Sequence, residues 1–259
     1  MIHPLESFVA RKNNFILQHF KKTKYSKIIR QFRNAHSGES CFIIGNGPSL
    51  RVEDLDKIVS QHIPTFAFNR IYLIFNDTRW RPTYYFSQDE KVLKNCVTEV
   101  NEMELPYKFI PLKLHYYNDI SINNAIYFNT DNEHINHPIF LEQADDKVCY
   151  STTVAYTAAQ FAVYMGFKKI YLIGVDHNFS TYQNDKGEII TDSTAKDYFS
   201  DAYNKDKSEL YIPNIDASTR AFQTMKLYCD AHGIEVYNVT RSGKLEVFPR
   251  MDFDKLFSD

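Results

Sequence analysis

The segment Gly45-Asn46-Gly47-Pro48-Ser49 follows an apolar run at 41–44 and has the residue types of a turn that holds a phosphate or a sugar against the backbone. Glycines at 45 and 47 can adopt positive φ and leave no Cβ between backbone and ligand, while Asn46 offers an amide to a ligand oxygen. Pro48 suits the first turn of a following helix, and Ser49 can satisfy an adjacent backbone donor. Spacing excludes two nucleotide fingerprints: the third glycine of the dinucleotide pattern is missing, and no lysine stands where a P-loop requires one. Asn69, Gln88 and Asp89, the run Ser151-Thr152-Thr153, and Gly174, Asp176, His177 and Asn178 are further polar residues at the ends of apolar stretches. His134 and His137 lack the additional His, Cys or Glu that a metal site needs at ligand spacing and read as loop residues.

For these residues to meet, the apolar stretches must be strands of one sheet. Short apolar runs alternate with helical patterns along the chain, which predicts an α/β fold with a mostly parallel sheet flanked by helices. Strands are expected at 40–44, 65–68, 83–87, 107–111, 125–128, 169–173 and 234–238, and helices at 50–59, 151–165 and 219–232. The second helix sets Val154, Ala155, Ala158, Phe161, Ala162 and Met165 on one face and ends at Gly166. Ligands of such sheets lie outside the carboxyl ends of the strands, where Gly45, Asn46, Gly47, Ser49, Asn69, Gln88, Asp89, Gly174, Asp176 and His177 are expected to converge. Ser151, Thr152 and Thr153 open a helix whose free N–H groups suit a phosphate. Such a ring of amides and hydroxyls fits a nucleotide better than a purely apolar ligand.

The 259 residues contain no apolar run of about 18, the length of a membrane span, and the first residues lack the pattern of a signal peptide, so a cytoplasmic location is expected. Cys41, Cys96, Cys149 and Cys229 have no C-x-x-C spacing and read as reduced core thiols. Residues 1–34 carry eight Lys and Arg against Glu6 alone, a net +7, whereas the whole chain is −2, leaving −9 on the remainder. The chain therefore divides into a basic helical arm, 1–37, and an α/β domain, 38–259. Phe8, Phe15, Ile16, Phe20, Ile28, Ile29 and Phe32 interleave with the cations of the arm. That pattern fits either peripheral contact with the inner face of a membrane through 1–34 or a helix packed on the body with its lysines in water. An acidic body argues against a nucleic-acid partner, and the composition leaves an oligomer open. Residues 179–213 are polar, with Tyr182, Tyr198, Tyr203 and Tyr211 scattered among charges, and are expected to form a lid inserted into the domain.

The combination of Gly45-Asn46-Gly47-Pro48-Ser49-Leu50, Asn69, Ser151-Thr152-Thr153 and the stretch from Gly166 to Gly174-Val175-Asp176 resembles two related groups. One is the bacterial MptE-like (DUF115) family, named for an archaeal 6-hydroxymethyl-dihydropterin pyrophosphokinase. The other is the bacterial sialyltransferases that build lipooligosaccharide from CMP-sialic acid. The resemblance spans roughly 38–252, without the arm, and implies a Rossmann-like fold of the GT-A-type variant. From the sialyltransferases it implies that Asn46, Gly47, Asn69, Thr152 and Thr153 contact a CMP nucleotide, that Tyr203 or Tyr211 meets the leaving phosphate, and that no metal cofactor is required. Partners would be a nucleotide-sugar donor and a cell-surface glycan acceptor. The family's lid histidine has no counterpart, because the aligned position falls near Asn214; His177, Asp176 or Asp89 would be the base, or the chemistry differs. The pyrophosphokinase alternative uses Asp89 and Asp176 to hold Mg²⁺ on a triphosphate. A non-catalytic nucleotide-binding protein is the third reading.

Overall fold

Strands buried on both faces need near-continuous apolar residues, and Cys-Phe-Ile-Ile at 41–44 and Ile-Tyr-Leu-Ile at 170–173 form two adjacent interior strands of the sheet in the computed structural model. The structure describes residues 4–205 and 210–257. In chain order its first half comprises α1 (Pro4–Gln18), α2 (Lys24–Ile29), β1 (Ser40–Ile44), α3 (Val52–Ser60), β2 (Thr65–Phe68), β3 (Tyr84–Phe86), α4 (Glu90–Lys94), α5 (Val97–Glu102), β4 (Tyr107–Pro111), α6 (Leu112–Tyr117) and β5 (Ala125–Phe128). There follow β6 (Thr130–Asp131), β7 (Val148–Cys149), α7 (Val154–Tyr164), β8 (Lys169–Ile173), β9 (Thr181–Gln183), β10 (Ile189–Thr191), α8 (Ile215–Ala231) and β11 (Glu235–Asn238).

The main sheet has the order β11-β8-β1-β2-β3-β4-β5, and every neighbouring pair is parallel. From β1 the chain moves outward through β2 to β5, then returns to place β8 on the other side of β1. This reversal makes the β1/β8 boundary the topological switch point, where a crevice opens beyond the carboxyl ends. Ile44 is in register with Ile173, so the loops after the two strands emerge side by side.

Helices cover both faces. On one face α7 and α8 bury Phe161, Phe222 and Met225 against Ile43, Phe86, Phe109 and Leu172, and Phe86 stacks on Phe109 with ring centroids 4.7 Å apart. Phe20, Ile29 and Phe32 of the basic arm belong to this same core. On the other face Leu55, Ile58, Leu93 and Val100 cover Phe42, Ile44, Tyr85 and Ile110. All four cysteines are buried and unpaired.

Three helix starts differ from expectation. α7, expected from 151, starts at Val154 behind Thr153 as N-cap. Leu50 donates its N–H to the Gly47 carbonyl at 3.1 Å, closing a turn with Pro48 at its first corner, so α3 cannot start until Val52. Glu53 and Asp54 already occupy the first turn of α3, which therefore does not offer an open anion site. α8 begins at Ile215 rather than 219, because the Asn214 side chain accepts the Ala217 N–H at 2.8 Å and caps the helix.

Candidate functional site

The loops after β1 and β8 are pressed together. Gly45 donates to the Ile173 carbonyl and Gly47 to the Gly174 carbonyl, both at 2.8 Å. A Cβ on Gly45 would stand 2.2 Å from the Gly174 carbonyl oxygen, and one on Gly47 only 1.9 Å from Asp176 Oδ2. The positive φ expected at 45 and 47 is found instead across the gap, at Gly174 with φ +66°. Glycine is thus required in the turn by the close approach of the chain's own neighbouring loop.

Asp176 fixes that approach: its Oδ2 accepts from Ser49 Oγ at 2.7 Å and from the Ser49 N–H at 3.4 Å. Burial raises its pKa against these hydrogen bonds. Ser49, expected among the ligand contacts, therefore spends its hydroxyl on Asp176.

Beyond the loops lies a cavity of about 670 Å³, within the size range of small-molecule sites. It is lined by Gly45, Asn46, Gly47, Asn69, Gln88, Asp89, Thr152, Thr153, Gly174, Asp176, His177, Tyr203 and Tyr211, so all the residues anticipated from the sequence converge here except Ser49 and Ser151. Asn46 donates Nδ2–H to the Phe68 carbonyl at 3.2 Å, while its Oδ1 is buried with no hydrogen-bond partner among the described residues. Asn69 sits at φ +50°, its carbonyl accepting from Tyr85 and its Oδ1 from Ser87. Gln88 is committed to structure: Nε2 donates to the Ser151 carbonyl at 3.0 Å and Oε1 accepts from Thr157 at 2.6 Å, joining the end of β3 to the start of α7. Ser151 stands behind the wall, 1% exposed.

The open helix terminus at the cavity is that of α7. Thr153 is its N-cap and makes no side-chain capping bond; Val154 and Ala155 line the cavity, and as first-turn residues their N–H groups have no carbonyl one turn earlier to bond. Thr152 Oγ1 lies 3.0 Å from Ser218 Oγ. This end carries the partial positive charge that favours an anion.

His177, at φ +52°, points Nε2 at Thr219 Oγ1 at 2.8 Å. The Thr219 hydroxyl gives its own hydrogen to the Ile215 carbonyl at 2.9 Å, so Nε2 must be the donor and Nδ1 keeps its lone pair. Burial lowers the imidazole pKa to about 4, which leaves the ring neutral at pH 7.

Asp89 caps α4 by accepting the Val92 N–H at 3.0 Å, and burial raises its pKa. As ligands for Mg²⁺, Asp89 and Asp176 line one cavity, but each already accepts hydrogen bonds. Among the described residues no group of three His, Cys, Asp or Glu is gathered. A magnesium ion here would need substrate phosphate oxygens to complete its shell.

Within the expected lid, 179–213, of which 206–209 lie outside the described residues, the antiparallel hairpin β9–β10 stands apart from the cavity, and a stretch carrying Tyr198, Tyr203 and Tyr211 lines it. Phe199 donates its N–H to the Asn46 carbonyl at 3.0 Å, tying the lid directly to the glycine turn. Tyr203 is buried, stacks on Tyr198 at 3.7 Å between centroids, and receives the Arg70 guanidinium on its carbonyl at 2.7 Å. Tyr211 is 57% exposed at the rim with the Lys91 ammonium 4.2 Å above its ring. Asn214, where the aligned base would stand, is the α8 cap described above.

The cavity also uses residues not anticipated from the sequence: Lys113 and Asn118 at the two ends of α6, Thr130 of β6, Asn132, and Tyr150. Lys113 lies two residues past β4, so the strand-end rule applied to that strand would have found it. Thr130 lies in a two-residue strand and Tyr150 directly follows another, and such strands are too short to show any period.

A family model described as 6-hydroxymethylpterin diphosphokinase MptE-like matches residues 13–182, so the match begins inside the basic arm and not at 38, and ends before most of the lid. The structure of the MAf glycosyltransferase from Magnetospirillum magneticum AMB-1 is similar, with a TM-score of 0.50 and 12% identity over 92% of this chain and 39% of that one. The chain thus spans well under half of that protein, and the likeness shows the shared fold. UDP-glucose 4-epimerase from Thermotoga maritima, with UDP-glucose, aligns at a TM-score of 0.28 and 8% identity, over 76% of this chain and 54% of that one. No curated protein sequence matches the chain.

Proposed function

The chain belongs to the MptE-like family, whose model covers residues 13–182, and we propose that it is a nucleotide-dependent transferase, specifically a glycosyltransferase that takes a CMP-activated sugar to a cell-surface glycan hydroxyl. The observation that carries this reading is the cavity at the β1/β8 switch point, lined both by an open helix N-terminus and by Asn46, whose buried Oδ1 has no partner among the described residues. An anion suits the first and a base amine or ribose hydroxyl suits the second. Gly45, Gly47, Asn69 and Thr152 complete the nucleotide half, and Gly174 and Gln88 hold its walls in place.

In this mechanism His177 Nδ1 takes the proton of the acceptor hydroxyl as the new C–O bond forms at the anomeric carbon. The bond from that carbon to the phosphate oxygen breaks with its electron pair on the oxygen, releasing CMP. Tyr211 beside Lys91, Tyr203 and the α7 terminus receive the leaving phosphate, and closure of the lid excludes water. Asp176 holds the glycine turn and Asp89 stands by as the other candidate base. No metal takes part.

A diphosphokinase is the second reading, favoured by the description of the family and by the two carboxylates on the cavity wall. Asp89 and Asp176 would hold Mg²⁺, and an alcohol would attack the β-phosphorus of ATP with loss of AMP.

Thermal-shift measurements with CMP, CTP and ATP, with and without Mg²⁺, followed by mass spectrometry of the products, separate these readings. Stabilisation by CMP without metal and CMP release from a CMP-sugar are expected. Magnesium-dependent stabilisation by ATP with AMP release would establish the second reading, and nucleotide binding with no product in any mixture would leave a non-catalytic binder.

A further inference from the structure

We infer that the outward face of α1 seats the protein on an anionic membrane surface. α1 turns Asn13, Asn14 and Leu17 to the body: Tyr117 donates to Asn14 Oδ1 at 2.7 Å, Asn129 donates to the Leu17 carbonyl at 3.1 Å, and Asn13 is buried. On the opposite side Phe8, Arg11, Lys12 and Phe15 follow i, i+3, i+4, i+7 spacing and form one stripe. Phe8 is 68% and Phe15 61% exposed, with both cations exposed between them. The basic surface continues through exposed Lys21, Lys22, Lys24 and Lys27, with Ile28 40% exposed among them.

Charge selects the occupant. Residues 1–34 carry +7 and the remainder −9, so an anionic surface attracts the arm and repels the body, which fixes the orientation. The same stripe on a second copy would meet +7 with +7. Aromatic rings spaced between lysine and arginine match the boundary of a bilayer, where the rings enter the apolar layer and the ammonium and guanidinium groups stay with the phosphates.

The test is co-sedimentation of the full chain with vesicles of phosphatidylcholine, with and without phosphatidylglycerol, at low and high salt. Binding to the anionic vesicles alone, lost at high salt, is expected. Replacing both cations in R11Q/K12Q should lower partitioning by roughly 25-fold, and F8S/F15S by roughly tenfold or more. Both variants alter exposed side chains, and circular dichroism should show the native fold. Absence of binding to anionic vesicles, equal binding to neutral ones, or unchanged binding of F8S/F15S would each overturn the inference. So would a concentration-dependent dimer that F8S/F15S abolishes in a chain that ignores vesicles, since the face would then be a self-interface.

Discussion

At the scale of single residues, the wall of the cavity separates groups free to meet a ligand from groups already committed to the fold. Asn46→Ala removes an acceptor that no described residue satisfies, so CMP affinity should drop by roughly 5- to 150-fold, about 1–3 kcal/mol, with little change in Tm. Calorimetric titration measures it, and Thr153→Ala should act in the same direction. Gln88→Ala should instead lower Tm, because both ends of that carboxamide are bonded to α7 and its neighbours. His177 makes a prediction in pH. With its folded pKa near 4 and an ordinary value of 6.5, the unfolded chain binds the extra proton between those limits. The neutral ring therefore contributes stability that is full above pH 6.5 and lost as pH falls towards 4. His177→Asn, which tolerates the left-handed backbone, should lose less stability than the wild type over that window. If His177 is the base, the acid limb of the wild-type rate profile should lie near pH 4, and a limb near 6.5 would assign the base elsewhere.

At the scale of elements, the strands were legible because their residues are buried on both faces. β1, β2, β4, β5 and β8 lie where their apolar runs predict. The residues at their carboxyl ends were legible with them, since a parallel sheet leaves few other places for a ligand. Helix starts were less legible: a turn closed by Leu50 delays α3, and a cap at Asn214 advances α8, and both depend on single hydrogen bonds that apolar periodicity does not encode. The lid's hairpin was hidden because its strands are only three residues long, too short to show a period, and neither is buried. Its ties give a prediction. Asp197 accepts the Ser180 N–H at 2.5 Å and the Ser180 hydroxyl at 3.0 Å. Asp197→Ala should favour local opening by about 1–3 kcal/mol, raising the rate of tryptic cleavage at exposed Lys186 and Lys196 several-fold while the global Tm moves little. Bound CMP should slow cleavage in the wild type, and a variant cleaved no faster would show that the lid is held elsewhere.

At the scale of the whole molecule, charge suggests a boundary near residue 37 that packing does not respect. Phe20, Ile29 and Phe32 are buried in the same core as Phe86 and Phe161, and α2 lies against β5. Ser26 Oγ donates to the Asp145 carbonyl at 2.5 Å, and Arg30 and Arg33 reach the Asp145 carboxylate at 3.1 and 2.9 Å. Burial alone would raise the Asp145 pKa, but the hydrogen bonds from Arg33 and Arg30 hold it below the ordinary range. Its contribution to stability is therefore present above the unfolded carboxylate value and lost as pH falls through the folded one. Asp145→Ala should cost about 1–3 kcal/mol near neutral pH, with the difference from wild type shrinking in acid. Truncation separates the two parts of the arm. Burying three large apolar side chains contributes roughly 1.5–3 kcal/mol each, together comparable with the roughly 5–15 kcal/mol that stabilises a whole domain. Removal of residues 1–37 should therefore yield a chain without a cooperative thermal transition. Removal of 1–12 takes away the exposed Phe8, Val9, Arg11 and Lys12 and should leave Tm within a few degrees of the intact protein. A folded 38–259 fragment would show instead that the arm is an addition to a domain complete without it.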